Sequence, residues 1–357
     1  MSLPAPTKPV YLKACGIATS LGLTAEETAA AVRAGVSSYA ESSVYNKQSN
    51  PMIMSLVPED LLPPLDKKIE KTLPRLTSKQ SRIVKLANLA LDDLANKHQK
   101  LAGIPLLLTS SEIIPGLDNS CHPQLLQFIS QQTSIEFHQS HSTIIAGGRA
   151  GALSSLHNAM AYMEAGHSTL TIVGGVDTYL DLRLLSNLDE DERILADSIM
   201  DAFVPGEGAG FILLSSTPVN FQDSGKQILI YPPGISVEPG HRYSDQPYKG
   251  DGLAQAFNLA ISNTNLPQIK TVCSSLNGEN FSAKELGVAT TRNNKQIDPD
   301  YTIFHPADCF GDIGAAHFPV STGLIAIGLL NNYLDGPSIN YASSETDYRG
   351  AACISIN

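Results

Sequence analysis

No apolar run in this sequence is long enough to cross a bilayer. The longest, such as 320–330, falls short of the ~20 residues a spanning helix needs and contains Ser321 and Thr322. Cysteine is scarce and poorly spaced for a zinc site or a disulfide framework: Cys15, Cys121, Cys273, Cys309 and Cys353 are odd in number and show no CxxC spacing. The opening MSLPAPTKPVYLKACG lacks the charged-then-apolar pattern of a secretory signal, so a reducing cytoplasm is the expected location. Basic residues are outnumbered, 24 Lys plus Arg against 35 Asp plus Glu, and the net charge of −11 argues against nucleic acid as the main partner. Phosphate neutralisation needs a whole face dense in Lys and Arg. What remains is an ordinary globular composition, with 42% hydrophobic and 17% charged residues, 27 Gly and 22 Pro, which excludes disorder and fibres. At 357 residues the chain can form two packed domains or one large core.

Short β-rich runs alternate with helical runs throughout. Ile104–Thr109, Thr169–Val173, Gly210–Leu214, Gln227–Tyr231, Ile269–Ser274 and Ala352–Ile356 read as strands. Thr24 with Glu27 reads as a capping box opening a helix that Gly35 closes, and Ser78–Asn96 and Leu153–Glu164 carry apolar stripes of helical period. This alternation predicts an α/β fold with a mixed, mainly parallel sheet.

Similar pieces recur in the same order in the two halves. Ala87-Asn88-Leu89-Ala90 before Thr109-Ser110-Ser111 matches Phe257-Asn258-Leu259-Ala260 before Cys273-Ser274-Ser275. Gly147-Gly148-Arg149-Ala150-Gly151 and Gly311-Asp312-Ile313-Gly314-Ala315-Ala316 each open an apolar helix that leads into a strand. Gly208–Ser215 resembles Gly350–Asn357. The chain therefore reads as a duplication, residues 1–217 and 226–357, packed as one unit, with the main insertion of the first half at Val176–Pro205. Duplication would bring two Gly-rich helix starts to one pseudo-symmetric centre, where free N–H groups and the positive helix ends favour a thiolate, an anion or an oxyanion. Taken singly, each glycine segment is explained by helix-on-sheet packing.

The runs Gly16–Gly22 before a capped helix, Gly174-Gly175-Val176-Asp177-Thr178-Tyr179, Phe203–Gly210 and Gly311–Ala316 together resemble the β-ketoacyl-acyl-carrier-protein synthases of the thiolase superfamily. The likeness spans almost the whole chain and rests on the order of motifs that are individually weak. It implies a five-layer αβαβα fold, a homo- or heterodimer, and Claisen condensation of an acyl group with malonyl on a carrier protein, without cofactor or metal. It also implies a nucleophilic Cys at the helix start matching Gly147–Gly151, where the helix end lowers a thiol pKa and N–H groups form an oxyanion hole.

Aligned through Leu156-His157 and the Gly174-Gly175 pair, that Cys position falls on Arg149. The family's first His falls on Asn277 of Asn277-Gly278-Glu279, its second on Asp312, its Lys on Ala307, and its gating loop on 346–350. A guanidinium stays protonated and is no nucleophile, so condensation through an acyl-cysteine is not expected. Arg149 at a positive helix end calls for neutralisation, and Asp312 is the expected partner with Asn277 bonding to either. The alternative has Arg149 reaching solvent and Asp312 capping its own helix. An acyltransferase or decarboxylase of altered chemistry using Cys309, His305 or Asp312 stays open, with Cys273 as another thiol and His317 as another acid or base, although small buried cysteines are mostly inert. His138 and His141 read as a surface loop. Glu207 in the Gly206–Gly210 turn fits the family as a structural residue.

Against the overall sign, Lys67, Lys68, Lys71, Arg75, Lys79, Arg82 and Lys85 cluster with only Asp66 and Glu70 among them. The resemblance makes this a face for an acidic acyl carrier protein or a synthase partner, where the bland alternative is a solvated helix. The sequence thus predicts a non-condensing homologue, similar to the chain-length factors that pair with an active synthase in fatty-acid or polyketide biosynthesis.

Overall fold

The helix His317–Leu330 has no polar face, and every residue from His317 to Leu329 is buried. A helix apolar all round offers water no side, so it must lie between two other layers. In the computed structural model, which describes residues 3–72, 75–98, 101–115, 117, 122–196 and 199–357, it lies beside the helix Gly148–Glu164. Both helices pack against strands from both halves of the chain. Cys121 falls outside the described residues.

One mixed sheet runs through the molecule. Outward from its centre, the first half contributes Val10–Thr19, Glu207–Ser215, Leu170–Thr178, Leu106–Ser110 and Thr143–Ala146. The second half contributes, outward in the other direction, Ile228–Ile230, Tyr348–Ile356, Ser338–Ser343, Ile269–Cys273 and Ile297–Phe304, with Gly234–Val237 also paired to Tyr348–Ile356. Numbered within each set, both orders read first, fifth, fourth, second, third. In both, the two inner pairings are antiparallel and the two outer ones parallel. The two sets meet edge to edge, with Val10 opposite Ile230 and Leu12 opposite Ile228.

Three packed cores separate five layers. Ser78–Lys97 and Leu125–Gln132 cover the outer face of the first set through Leu86, Leu91, Phe128, Leu108 and Phe211. Asp251–Ser262 and Asn280–Arg292 cover the second through Phe257, Leu286, Val272 and Tyr341. The central pair of helices fills the space between with Leu153, Leu156, Phe318 and Leu324 against Ile17, Val173, Ile212 and Ile354. Close approach at this centre depends on missing side chains: a Cβ on Gly175 would stand 2.0 Å from the Ala315 carbonyl oxygen.

All six strands expected from the sequence form, with shifted ends. The helix expected at Leu153 begins earlier, at Gly148, whose φ of 58° only glycine adopts freely. At Thr24 the capping box is half made: the Thr24 side chain accepts the Glu27 N–H, while the Glu27 carboxylate takes the Leu23 N–H instead. The complete box forms at Thr77 and Gln80. Ile297–Phe304 escapes sequence reading because, as an outermost strand with much of its length exposed, it is not patterned like a core strand. No helix among the described residues is long and apolar enough to cross a membrane.

Candidate functional site

Arg149 stands in the first turn of the central helix Gly148–Glu164, and Asp312 in the turn that leads into the other central helix. The Asp312 turn is anchored by backbone bonds to the Phe203–Gly210 segment: Asp312 N–H donates to the Val204 carbonyl and Gly206 N–H to the Asp312 carbonyl, both at 2.9 Å. The two side chains meet. Arg149 Nε lies 3.0 Å from each carboxylate oxygen of Asp312, and an Nη group also donates to Asp312. Asp312 further accepts from Asn277 Nδ2 at 3.1 Å and from the Gly314 N–H at 2.9 Å, so it braces the turn that follows it and pairs with Arg149 at once.

The pair belongs to a larger assembly. Arg149 Nη1 donates to Glu345 at 3.0 Å and Nη2 to the Tyr179 hydroxyl at 3.1 Å. Arg193 is bidentate on Glu279, at 2.7 and 2.8 Å, and reaches Glu345 at 3.0 Å. Arg242 adds contacts to Glu279 at 2.9 Å and Glu345 at 3.4 Å. Three guanidinium groups therefore face three carboxylates, Asp312, Glu279 and Glu345, and the charges balance. For Asp312, Glu345 and Arg149 burial alone would favour the neutral form, but the opposite charges more than offset it. Asp312 is held below the usual carboxylate range by Arg149, Glu345 by Arg193, Arg149 and Arg242, and the pKa of Arg149 is raised by Asp312 and Glu345. Beside Arg149 the cavity that remains is about 20 Å³, room for about one water.

Of these residues, Arg193, Arg242 and Glu345 had no distinguishing mark along the chain, and Tyr179 closes the Gly174–Tyr179 run without any sign of its part here. Arg193 lies 86 residues from Glu279 and 152 from Glu345, in the Val176–Pro205 insertion, and only folding brings them together. Glu279 could have been noticed, since the turn singled out for Asn277 carries a carboxylate two residues after it.

The remaining candidates do not join this centre. The thiols of Cys273 and Cys309 are pushed up by burial, which keeps them protonated. His305 Nδ1 lies 2.8 Å from the Ser274 hydroxyl and its Nε2 lies 3.3 Å from Asp308, and burial lowers its pKa. His317 is lowered to about 4 by burial. His138 and His141 meet at the surface with tilted rings, 4.3 Å between their centres. Glu207 is buried and spends its oxygens on Arg82, the Val57 N–H and the Thr178 hydroxyl.

The basic cluster divides. Lys67, Lys68, Lys71 and Arg75 are exposed, and Lys85 pairs with Glu59 at 3.2 Å. Arg82 is not a surface residue: helical periodicity puts it among Ile83, Leu86 and other buried residues of its helix, with Nε 2.6 Å from Glu207. Lys79 is likewise turned inward, its ammonium fully buried. Neither can meet a partner docking on that face.

No family model and no curated protein matches this chain in sequence. Solved structures do. A chain of the ketosynthase (ApeO) in complex with its chain length factor (ApeC) from Xenorhabdus doucetiae superposes with a TM-score of 0.78 at 14% identity, over 98% of each chain. The ishigamide ketosynthase/chain length factor gives 0.74 at 16% identity, over 98% of this chain and 99% of that one. AntDE:AntF, a type II polyketide synthase acyl-carrier protein in complex with its ketosynthase, gives 0.72 at 13% identity, over 98% and 99%. At such identities the likeness speaks for architecture alone, and this chain has the thiolase-like five-layer fold of the ketosynthases and chain length factors.

Proposed function

We propose that this protein is a non-condensing subunit that pairs with an active ketosynthase, in the manner of a chain-length factor, and so shapes acyl-chain assembly or holds a carrier protein in polyketide or fatty-acid biosynthesis. The observation that carries the reading is the ion-paired Arg149 at the start of the central helix, with about 20 Å³ of space beside it. An acyl nucleophile and its malonyl partner need a thiolate there and far more room. Arg149 offers a fixed cation instead, and Asp312, its bonds already committed, is no free proton acceptor. Exposed Lys67, Lys68, Lys71 and Arg75 suit an acidic carrier protein or a synthase partner, and a cytoplasmic heterodimer is the assembly this role requires.

An acyltransferase or decarboxylase built on Cys309, His305 or Asp312 gains no support from the geometry. Asp312 is locked in the pair, and burial disfavours the Cys309 thiolate. Intact-mass measurement after incubation with a thiol-reactive acyl donor separates the two. Under the proposal the chain stays unacylated, does not condense alone, and co-purifies with an active synthase whose condensation depends on it. Stoichiometric acylation at a cysteine, or condensation by the chain alone, overturns it.

A further inference from the structure

On the outer face of the second half, an open groove of about 680 Å³ runs between Tyr248 and Lys249 on one side and the helix Asn280–Arg292 on the other. Lys284, Gly287, Val288, Thr291 and Arg292 line it, and their spacing of three and four residues puts them on one face of that helix. Val288 is partly buried and forms the floor, close enough to Gly250 that a Cβ added there would stand 3.0 Å from it. Tyr248 is a fixed wall: its ring stacks on Phe281 with 4.2 Å between centres, and its hydroxyl donates to the Phe281 carbonyl at 3.2 Å.

Gly287 is the anomaly of this face. It lies in the interior of a 13-residue helix, where glycine is worse than alanine by about 1 kcal/mol. Packing within the chain does not ask for it, since an added Cβ would meet no atom within 4 Å, in contrast to Gly175 against Ala315. Gly287 is exposed and opens only onto the groove, which a side chain there would fill. A local preference broken with no gain to the fold points to a contact made outside it. The rim is positive. Lys249 and Lys284 are exposed with no ion pair among the described residues, Arg292 is tied to Asp251 at 2.5 Å, and no carboxylate lines the groove. In a chain of net charge −11, two unanswered ammonium groups beside an apolar floor reverse the sign locally.

We infer that this groove docks an acidic segment of a partner protein, with one apolar side chain seated over Gly287 and Val288 and flanking carboxylates on Lys249 and Lys284. The inference does not depend on the proposed non-condensing role, and the groove is separate from the Lys67–Arg75 face: Ile69 of that segment packs into the outer core of the first half, Leu286 and Val288 into or against that of the second. The full-length chain is titrated at low salt, by fluorescence anisotropy, with a labelled peptide that sets one leucine between glutamates, and with the same peptide carrying serine for the leucine. Saturable binding of the leucine peptide, about tenfold tighter than the serine peptide, is the expected result. Lys249→Ala combined with Lys284→Ala, and separately Gly287→Leu, should each weaken it about tenfold. Gly287→Leu should keep or raise the thermal midpoint, because it puts a better helix former into open space, so its loss of binding is not a loss of fold. Glu substitutions at Lys67, Lys68, Lys71 and Arg75 should leave this binding unchanged. Absence of saturable binding, equal binding of the two peptides, which would make the groove a general anion patch, or undiminished binding in Gly287→Leu or in the double lysine variant overturns the inference, as does loss of binding through the Lys67–Arg75 substitutions.

Discussion

Arg149 is a cation at the positive end of a helix, buried away from bulk water, and by itself that position would be strongly unfavourable. Asp312 and Glu345 reverse the balance. Removing one member of a buried, hydrogen-bonded pair leaves the other charge uncompensated, so Arg149→Met should cost about 3–5 kcal/mol in urea unfolding. Arg149→Met combined with Asp312→Leu should recover much of that loss, because both charges are then gone. The pH dependence has a definite sign. Asp312 is held below its unfolded value, so its contribution is present above about pH 4 and is lost as the pH falls through the folded value. In Arg149→Met the carboxyl has lost its cation, burial raises its pKa, and the variant gains stability as the carboxyl protonates. The stability gap between the two proteins should therefore be widest near neutral pH and narrow on acidification, as read from urea midpoints between pH 7 and 4. A gap that does not change with pH would place the cost elsewhere.

Among the elements, the central helices and strands are held at distances that only small residues permit. Gly175→Ala would drive a Cβ to 2.0 Å from the Ala315 backbone, which nothing flexible can relieve, so it should destabilise by about 1–3 kcal/mol or more. Gly287, on the helix Asn280–Arg292, has nothing within 4 Å of its added Cβ. Gly287→Ala should stabilise by about 0.5–1 kcal/mol through helix propensity, and thermal unfolding of the two variants should move in opposite directions. The helix Ser78–Lys97 teaches a related lesson about charge. Its sequence offers a row of basic side chains, yet the turn of the helix sends Arg82 and the Lys79 ammonium inward, while the preceding segment keeps Lys67, Lys68, Lys71 and Arg75 in water. Linear clustering could not distinguish these fates, because an α-helix distributes successive residues around its whole circumference.

For the whole molecule, the four exposed cations are set against a net charge of −11, and that contrast is what an electrostatically docked acidic partner would read. Glu substitutions at Lys67, Lys68, Lys71 and Arg75 should leave the thermal midpoint nearly unchanged and weaken carrier-protein or synthase association at least tenfold at low salt, with the difference shrinking as salt rises. Equal binding by the charge-reversed and native proteins would remove this face from the interface. The alternation of strand and helix patterns, the apolar stretch at 320–330 and the paired glycine segments were enough to make the layered α/β architecture legible, since hydrophobic periodicity and missing side chains are local properties of a chain. A cation at a Gly-rich helix start, Arg149, was legible for the same reason, since a residue's type and its glycine neighbours are local too. The tertiary structure alone decided the company that residue keeps beyond Asp312 and Asn277. Arg193, Arg242, Glu279 and Glu345 converge from distant parts of the chain, and the inward turn of Lys79 and Arg82 depends on what their helix packs against. Neutralising a buried charge requires atoms within a few ångströms in space, and separation along a sequence carries no information about that distance.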